Sequence, residues 1–418
     1  MRIGVVTTSY PRFQGDPAGN FVGGMARWLA NRGHDVQVVA AGPEAPGEER
    51  DGHVRVSRIH AGADLFYGEG APDLLERSLL MRTRAPVFSL ALARTVARLA
   101  PKWDVVVSHW LVPSGLAAAL AAPRCPHLAI AHSGDVHISA RPVLADLVAL
   151  ALARRHTQVA FVADYLRDRM LAEVRLDALC KKIASASFTC AMGIDVAALA
   201  LAGEEDPAGA RHALGLPPDG DVILFLGRLV PIKGVRVLID AVAHMRGWTR
   251  SRASSSPGPG GNRSEPVLLV AGKGPERERL EAHARARGVA AHFVGEVHGP
   301  RRDACLAAAS VAVLPSIDLP SGRREGMPVV ALEMLAASVP LVASDVGGVR
   351  DVAAAAARLV PPGDPVALAN ALIETLSPRD DQDNLRRKQA GREVAAAHDW
   401  DVICPRLFKQ AFSSLAEM

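Results

Sequence analysis

Between Leu314 and Gly348 the chain reads LPSIDLPSGRREGMPVVALEMLAASVPLVASDVGG, a polar loop running into an apolar helical segment. Proline is tolerated at the first helical position, where its missing amide would be unpaired anyway. Pro328 therefore reads as the start of a helix and places the amides of Gly326 and Met327 at its N-terminus. Partial positive charge there favours a phosphate or hydroxyl oxygen. Glu325 stands just outside that terminus. Glu333 lies within the helix among Val329, Val330, Ala331, Leu332, Met334 and Leu335. A carboxylate in that company needs a polar partner if buried, and the paired hydroxyls of a ribose would serve. The alternative is a glutamate on the helix's solvent face.

A second stretch, LGRLVPIKG at 226–234, carries Arg228 and Lys233 where a strand-like run gives way to a helix. A lysine at a helix start opposes the helix dipole. An anion held between Arg228, Lys233 and the helix amides reverses that sign. Diphosphate fits, because arginine grips phosphate as a fork and lysine as a point charge. The alternative is a pair of ordinary surface cations. A strand-end position favours a site, since open α/β sheets bind ligands beyond the carboxyl ends of their strands.

Together these residues resemble the retaining glycosyltransferases of family 4 (glycosyl transferases group 1), which have the GT-B fold. Glu325 and Glu333, with seven residues between them in EGMPVVALE, match the family's paired glutamates. Gly227, Arg228, Leu229, Lys233 and Gly234 match its G-R-L-x-x-x-K-G motif. AGKGPERERL at 271–280, LPS at 314–316, SDVGG at 344–348 and MGID at 192–195 are further echoes, in order along nearly the whole chain.

The resemblance implies that Arg228 and Lys233 hold a donor diphosphate and that Glu325 contacts hydroxyls of the transferred sugar. Glu333 would hold the ribose, and the Gly326 and Met327 amides the phosphate and sugar. Segments around Gly274 and Gly295 would flank the base. In the first half, Gly19-Asn20 within GDPAGNFVGG is the best match to a loop that approaches the diphosphate, with Gly23-Gly24 competing for that role. Histidines follow two strand candidates, His109 in SHWLVPSG and His132 in AHSGDV. The resemblance makes His132 the active-site histidine near the sugar, with Asp135 in the same substrate-binding turn, and faces His109 toward the acceptor cleft. Ser133 replaces the turn's usual glycine.

The implied reaction moves a sugar from a nucleoside-diphosphate sugar to an acceptor hydroxyl with retained anomeric configuration. The acceptor would be a sugar, a lipid-linked or a small molecule, in cell-envelope, exopolysaccharide or glycoconjugate synthesis. A GT-B nucleotide-sugar epimerase or hydrolase and a non-catalytic nucleotide-sugar-binding protein are the alternatives. The absence of a G-x-G-x-x-G fingerprint weakens a dehydrogenase reading. Asp381–Asp383 and Asp399–Asp401 have the Asp-x-Asp spacing that holds metals in other sugar-transfer enzymes. Neither ends a strand beside the site, and both read as helix-terminal charge or caps. No metal or other cofactor is expected.

Short β-branched runs alternating with Ala/Leu-rich segments must position these residues, a pattern of parallel sheets with crossover helices. Strand candidates in the first half are 3–7, 36–40, 54–59, 105–108, 128–131 and 159–162. In the second they are 222–226, 267–271, 292–294, 311–314 and 341–343. A helix over 21–31 ends toward Gly33, and Gly/Pro-rich 201–220 reads as a linker. The expected fold is α/β, with two Rossmann-like domains facing across a cleft. They would be an acceptor domain over 1–200, joined by a terminal helix at about 399–418, and a nucleotide-sugar domain over 201–398. Trp248–Pro266, rich in Ser, Gly and Pro, reads as a surface insertion.

The 418 residues, 49% hydrophobic with a net charge of +4, exclude a disordered chain and argue against nucleic acid as a partner. Five cysteines without C-x-x-C spacing fit a reducing compartment. The start MRIGVVTTSY enters a strand and lacks a signal-peptide layout. A cytoplasmic protein is expected. Leu74–Trp103 interleaves basic and apolar residues and would allow peripheral contact with the membrane's inner face. The alternative is a helix packing on its own sheet.

Overall fold

Runs such as VILFL, VLLVA and VAVL are apolar throughout, as strands buried on both faces of a parallel sheet must be, and in the structure they are. The computed structural model describes residues 1–43, 49–67, 79–154, 156–245, 265–377 and 381–416. Most of the expected insertion, 248–264, and the start of the basic segment, 74–78, lie outside the described residues. The chain forms two units, Met1–Gly193 with Trp400–Met418, and Ile194–Asp399. The divisions thus fall seven residues before, and one residue after, the expected boundaries.

Unit 1 holds an eight-stranded sheet of β1 (Arg2–Val6), β2 (Asp35–Ala41), β3 (Glu49–Asp51), β4 (Val54–Ile59), β5 (Val105–His109), β6 (His127–Ala131), β7 (Thr157–Phe161) and β8 (Ser187–Thr189). Their order is β3-β4-β2-β1-β5-β6-β7-β8, parallel except for the antiparallel β3–β4 pair. The helix Asn20–Asn31 follows β1 and buries Val22, Met25, Ala26 and Leu29, the 3.6-residue stripe that selects a helix. The terminal helix Trp400–Ala416 belongs to this unit, where Asp401 accepts from Trp28 Nε1 at 2.6 Å.

Unit 2 holds a six-stranded parallel sheet of β9 (Val222–Leu226), β10 (Val267–Ala271), β11 (Ala291–Gly295), β12 (Val311–Leu314), β13 (Leu341–Ser344) and β14 (Ala357–Val360). Their order is β11-β10-β9-β12-β13-β14. Separate apolar cores cover its two faces.

The expected linker at 201–220 is helical. The helices Val196–Gly203 and Pro207–Ala213 place Leu199, Ala202 and Ala210 in the core of unit 2, with Leu214 and Leu216 beside them. The residues that suggested a linker sit at helix ends. Asp206 accepts from the Ala208 and Gly209 amides, and Pro207 takes the first helical position. Strands β3, β8 and β14 (ERD, SFT, ARLV) carry no β-branched run; pairing with a neighbouring strand holds them.

Candidate active site

Counting from β9, the order of unit 2 is 3-2-1-4-5-6, and its direction reverses between β9 and β12. Ligands of such sheets bind in the crevice at this switch point. The loop after β9 carries Arg228 and Lys233, and the loop after β12 carries Ser316 and Glu325. There Lys233 Nζ donates to Glu325 Oε2 at 2.9 Å, and Ser316 Oγ donates to the same oxygen at 3.1 Å. The lysine and glutamate side chains are only 15% and 13% exposed. Burial alone would raise the Glu325 carboxyl. The charge and hydrogen bond of Lys233, with Ser316 and the charge of Arg228, outweigh it and hold Glu325 below the usual glutamate range. Glu325 is therefore a carboxylate. Two residues expected on different parts of a ligand are thus partners, and Ser316, quoted only within LPS, joins them.

Two close approaches fix this pair. Gly234 lies at φ +63°, and a Cβ there would stand 1.9 Å from the Pro315 carbonyl oxygen. Gly347 lies at φ +49°, and a Cβ there would stand 1.9 Å from the Glu325 carbonyl oxygen. The loops are also tied by Ile317 N donating to Ile232 O and Gly348 N donating to Gly326 O. Gly234→Ala should cost at least about 2 kcal/mol, from strain plus the displaced Pro315 carbonyl. Gly363→Ala, at φ +74° with nothing within 4 Å of its Cβ, carries the strain alone. Urea unfolding of both checks this, and equal losses would show that the close approach contributes nothing.

Pro328 is not the first helical residue. With ψ at 95° it is extended and caps the helix Val329–Ala336, which starts one residue later. Its predecessors Gly326 and Met327 still lead into that terminus. Glu333 is 8% exposed, inside the buried run Ala331–Ala336, which excludes the solvent-face reading. Arg228 is exposed at the end of β9. The loops after β9, β10 and β11 are laced together: Leu229 N donates to Lys273 O, and Gly272 N donates to Gly295 O. Gly274 lies against Leu229 and Gly295 ends β11. Beside them Lys273 pairs with Glu296.

In unit 1 the reversal falls between β1 and β5. His109 Nδ1 lies 3.3 Å from His132 Nε2, the two rings stacked at 5.5 Å, with Phe21 and Trp110 each 5.0 Å from the His132 ring. His109 is fully buried. Burial lowers His132 to about 3 and His109 well below its ordinary value, the latter with help from His132. Asp135 is 2% exposed. Its oxygens accept from the Leu111 and His132 amides at 2.6 and 2.9 Å, and burial raises its carboxyl to about 7. It ties the turn after β5 to the turn after β6.

Gly19 and Asn20 stand at the start of the helix Asn20–Asn31, whereas Gly23 and Gly24 lie inside it, Gly24 against Trp400. That removes the competing pair from the loop. Arg58, which the sequence did not single out, pins this loop. Its side chain is 4% exposed, forks onto Glu49, and donates to the Tyr10, Pro11 and Ala41 carbonyls. An arginine within the alternating strand VRVSRI was the available signal.

Asp383 pairs with Arg358 and Arg387, Asp399 accepts from Val196 N, and Asp401 pairs with Arg32. The Asp381 side chain lies outside the described residues. Among the described residues no group of three or more His, Cys, Asp or Glu could hold a metal, and no helix is long and apolar enough to cross a membrane.

Residues 209–393 match the family model of glycosyl transferases group 1, and residues 18–179 match that of the glycosyl transferase 4-like domain. A D-inositol 3-phosphate glycosyltransferase of Jonesia denitrificans is 31% identical over 337 residues, covering 75% of this chain and 73% of that protein. Among solved structures, a sucrose-phosphate synthase from Thermosynechococcus elongatus superposes with a TM-score of 0.73 at 21% identity. The match covers 100% of both chains. Anabaena HepE in complex with UDP-glucose gives 0.69 at 16% identity, again over 100% of both. Switch-point loops, paired glutamates and these relatives agree: the chain belongs to the group 1 glycosyltransferases and has their two-Rossmann GT-B architecture.

Proposed function

We propose that the protein transfers a sugar, with retained anomeric configuration, from a nucleoside-diphosphate sugar to an acceptor hydroxyl. The observation that carries this reading is the Lys233–Glu325–Ser316 constellation at the switch point of unit 2. Lys233 and Arg228 hold the diphosphate, Glu325 the hydroxyls of the transferred sugar, and Glu333 the ribose. The Gly326 and Met327 amides lead to a helix N-terminus, where negative charge is favoured. Gly274 and Gly295 flank the base. Unit 1 binds the acceptor around His132, with Gly19-Asn20 presenting a helix start to anionic oxygen. Relatives named for inositol 3-phosphate and for a UDP-glucose complex support a UDP-sugar donor and a polyol or sugar acceptor.

The new bond joins the acceptor oxygen to the anomeric carbon, and the bond from that carbon to the diphosphate oxygen breaks. The acceptor proton passes to the leaving diphosphate. Lys233 and Arg228 stabilise the charge that grows there, so no metal is needed for it. Incubation with UDP-, GDP- and ADP-sugars, with and without inositol phosphate or sugar acceptors, tests the reading. Acceptor-dependent nucleotide release with an unchanged anomeric proton coupling by NMR is expected. Acceptor-independent release would make the protein a hydrolase, binding without turnover a nucleotide-sugar-binding protein, and an inverted product would remove retention.

A further inference from the structure

Thirteen large hydrophobic side chains are exposed among the described residues, and seven of them lie on neighbouring elements of unit 1. The helices Leu79–Leu99, Leu116–Ala121, Pro142–Leu152 and Asp177–Ser185 pack side by side in that order. Val143, Leu147 and Leu150 are 62%, 55% and 65% exposed at helical spacing on the third. Leu120 continues the patch on one neighbour and Leu176, the residue that caps Asp177–Ser185, on the other side, and Val87 and Leu90 extend it onto the first helix. Buried apolar faces account for the packing of these helices, so packing does not account for this outer face. Patches of this kind mark docking surfaces.

Charge identifies the occupant. The four helices hold two carboxylates between them. Asp146 is occupied by Arg175, and Asp177 by Lys181. Arg94, Arg98, Arg141 and Lys182 are exposed on or at the ends of the same helices. A second copy meeting this face would set like charge against like charge, which opposes association. An anionic bilayer presents an apolar boundary beneath negative headgroups and complements both features. The sequence pointed to 74–103 alone; the structure moves the apolar centre to Pro142–Leu152.

We propose that this face of unit 1 docks on an anionic lipid surface, with Val143, Leu147 and Leu150 entering the headgroup–acyl boundary and the flanking arginines and lysines meeting lipid phosphate. The claim does not depend on the proposed reaction.

Sedimentation of the full chain with phosphatidylcholine vesicles, with and without phosphatidylglycerol, tests it. Binding is expected only with phosphatidylglycerol and should weaken as salt rises. Leu147→Glu should lower it at least about tenfold, since a charge replaces a buried apolar contact. Arg94→Ala and Arg98→Ala should each lower it roughly fivefold. Leu147→Glu lies on an exposed face and should keep its circular dichroism and nucleoside-diphosphate binding, which separates lost docking from lost folding. Absent binding, equal binding to both vesicles, or a lipid-free dimer that Leu147→Glu dissolves would each overturn the proposal.

Discussion

Replacing Lys233 with alanine should lower the rate of sugar transfer roughly 30- to 1,000-fold, with a smaller loss of nucleoside-diphosphate affinity. On the proposed reading the lysine meets charge that grows on the diphosphate as the glycosidic bond breaks. A charge-assisted contact of about 2–4 kcal/mol then appears mainly in kcat. Glu325→Ala should also impair transfer, but it should leave the dissociation constant of the free diphosphate unchanged or tighter. The reason is the 2.9 Å contact: Glu325 competes with the ligand for Lys233. The same contact makes each single variant costly to the fold, because either one strands a mostly buried charge. The double variant should therefore lose less stability than the two singles added together, while its rate stays low. Initial rates, calorimetric titration with the diphosphate and urea unfolding of the three variants check each part. Loss of diphosphate binding in folded Glu325→Ala would misplace the sugar, and wild-type turnover in both singles would remove the catalytic assignment.

Unit 1 should lose about 3 kcal/mol of stability between pH 7 and pH 5. Burial lowers His127 and His132 to about 3, and His109 well below its ordinary value. Below pH 6.5 the unfolded chain protonates all three while the folded one does not, so acid favours unfolding. Asp135 acts in the opposite sense. With its carboxyl raised to about 7, the folded state takes up a proton there between pH 7 and pH 4 that the unfolded state does not. Three protons against one leaves a net loss on acidification. Hydrogen exchange of β5 and β6 across a urea series at the two pH values measures it. His127→Gln, whose parent ring meets Ser108 Oγ at 2.8 Å, should roughly halve the loss. An exchange midpoint that does not move between pH 7 and pH 5 would contradict buried neutral histidines.

The strands that built both sheets were legible wherever they were apolar throughout, because burial on two faces leaves no room for another pattern. VILFL, VLLVA and VAVL each occupy the expected residues. ERD, SFT and ARLV were not legible, since a strand held by its neighbour's hydrogen bonds needs no pattern of its own. The helices at 196–213 were misread because Gly, Pro and Asp signal both linkers and caps, and only the burial of Leu199, Ala202 and Ala210 separates the two.

Local chemistry placed Lys233 and Glu325 at strand and helix ends and Glu333 inside an apolar helix, because dipoles, proline positions and carboxylate burial act within a few residues. It could not show that Lys233 and Glu325, 92 positions apart, share a hydrogen bond. That contact depends on β9 and β12 being adjacent, which strand order decides. Nor could it show that the Asp135 oxygens are already taken by the Leu111 and His132 amides, or that Arg58 holds three carbonyls. By itself the sequence determined which side chains stand at the carboxyl ends of strands. Only the tertiary structure decided which of them are partners, because pairing follows the order of strands in the sheet and not their distance along the chain.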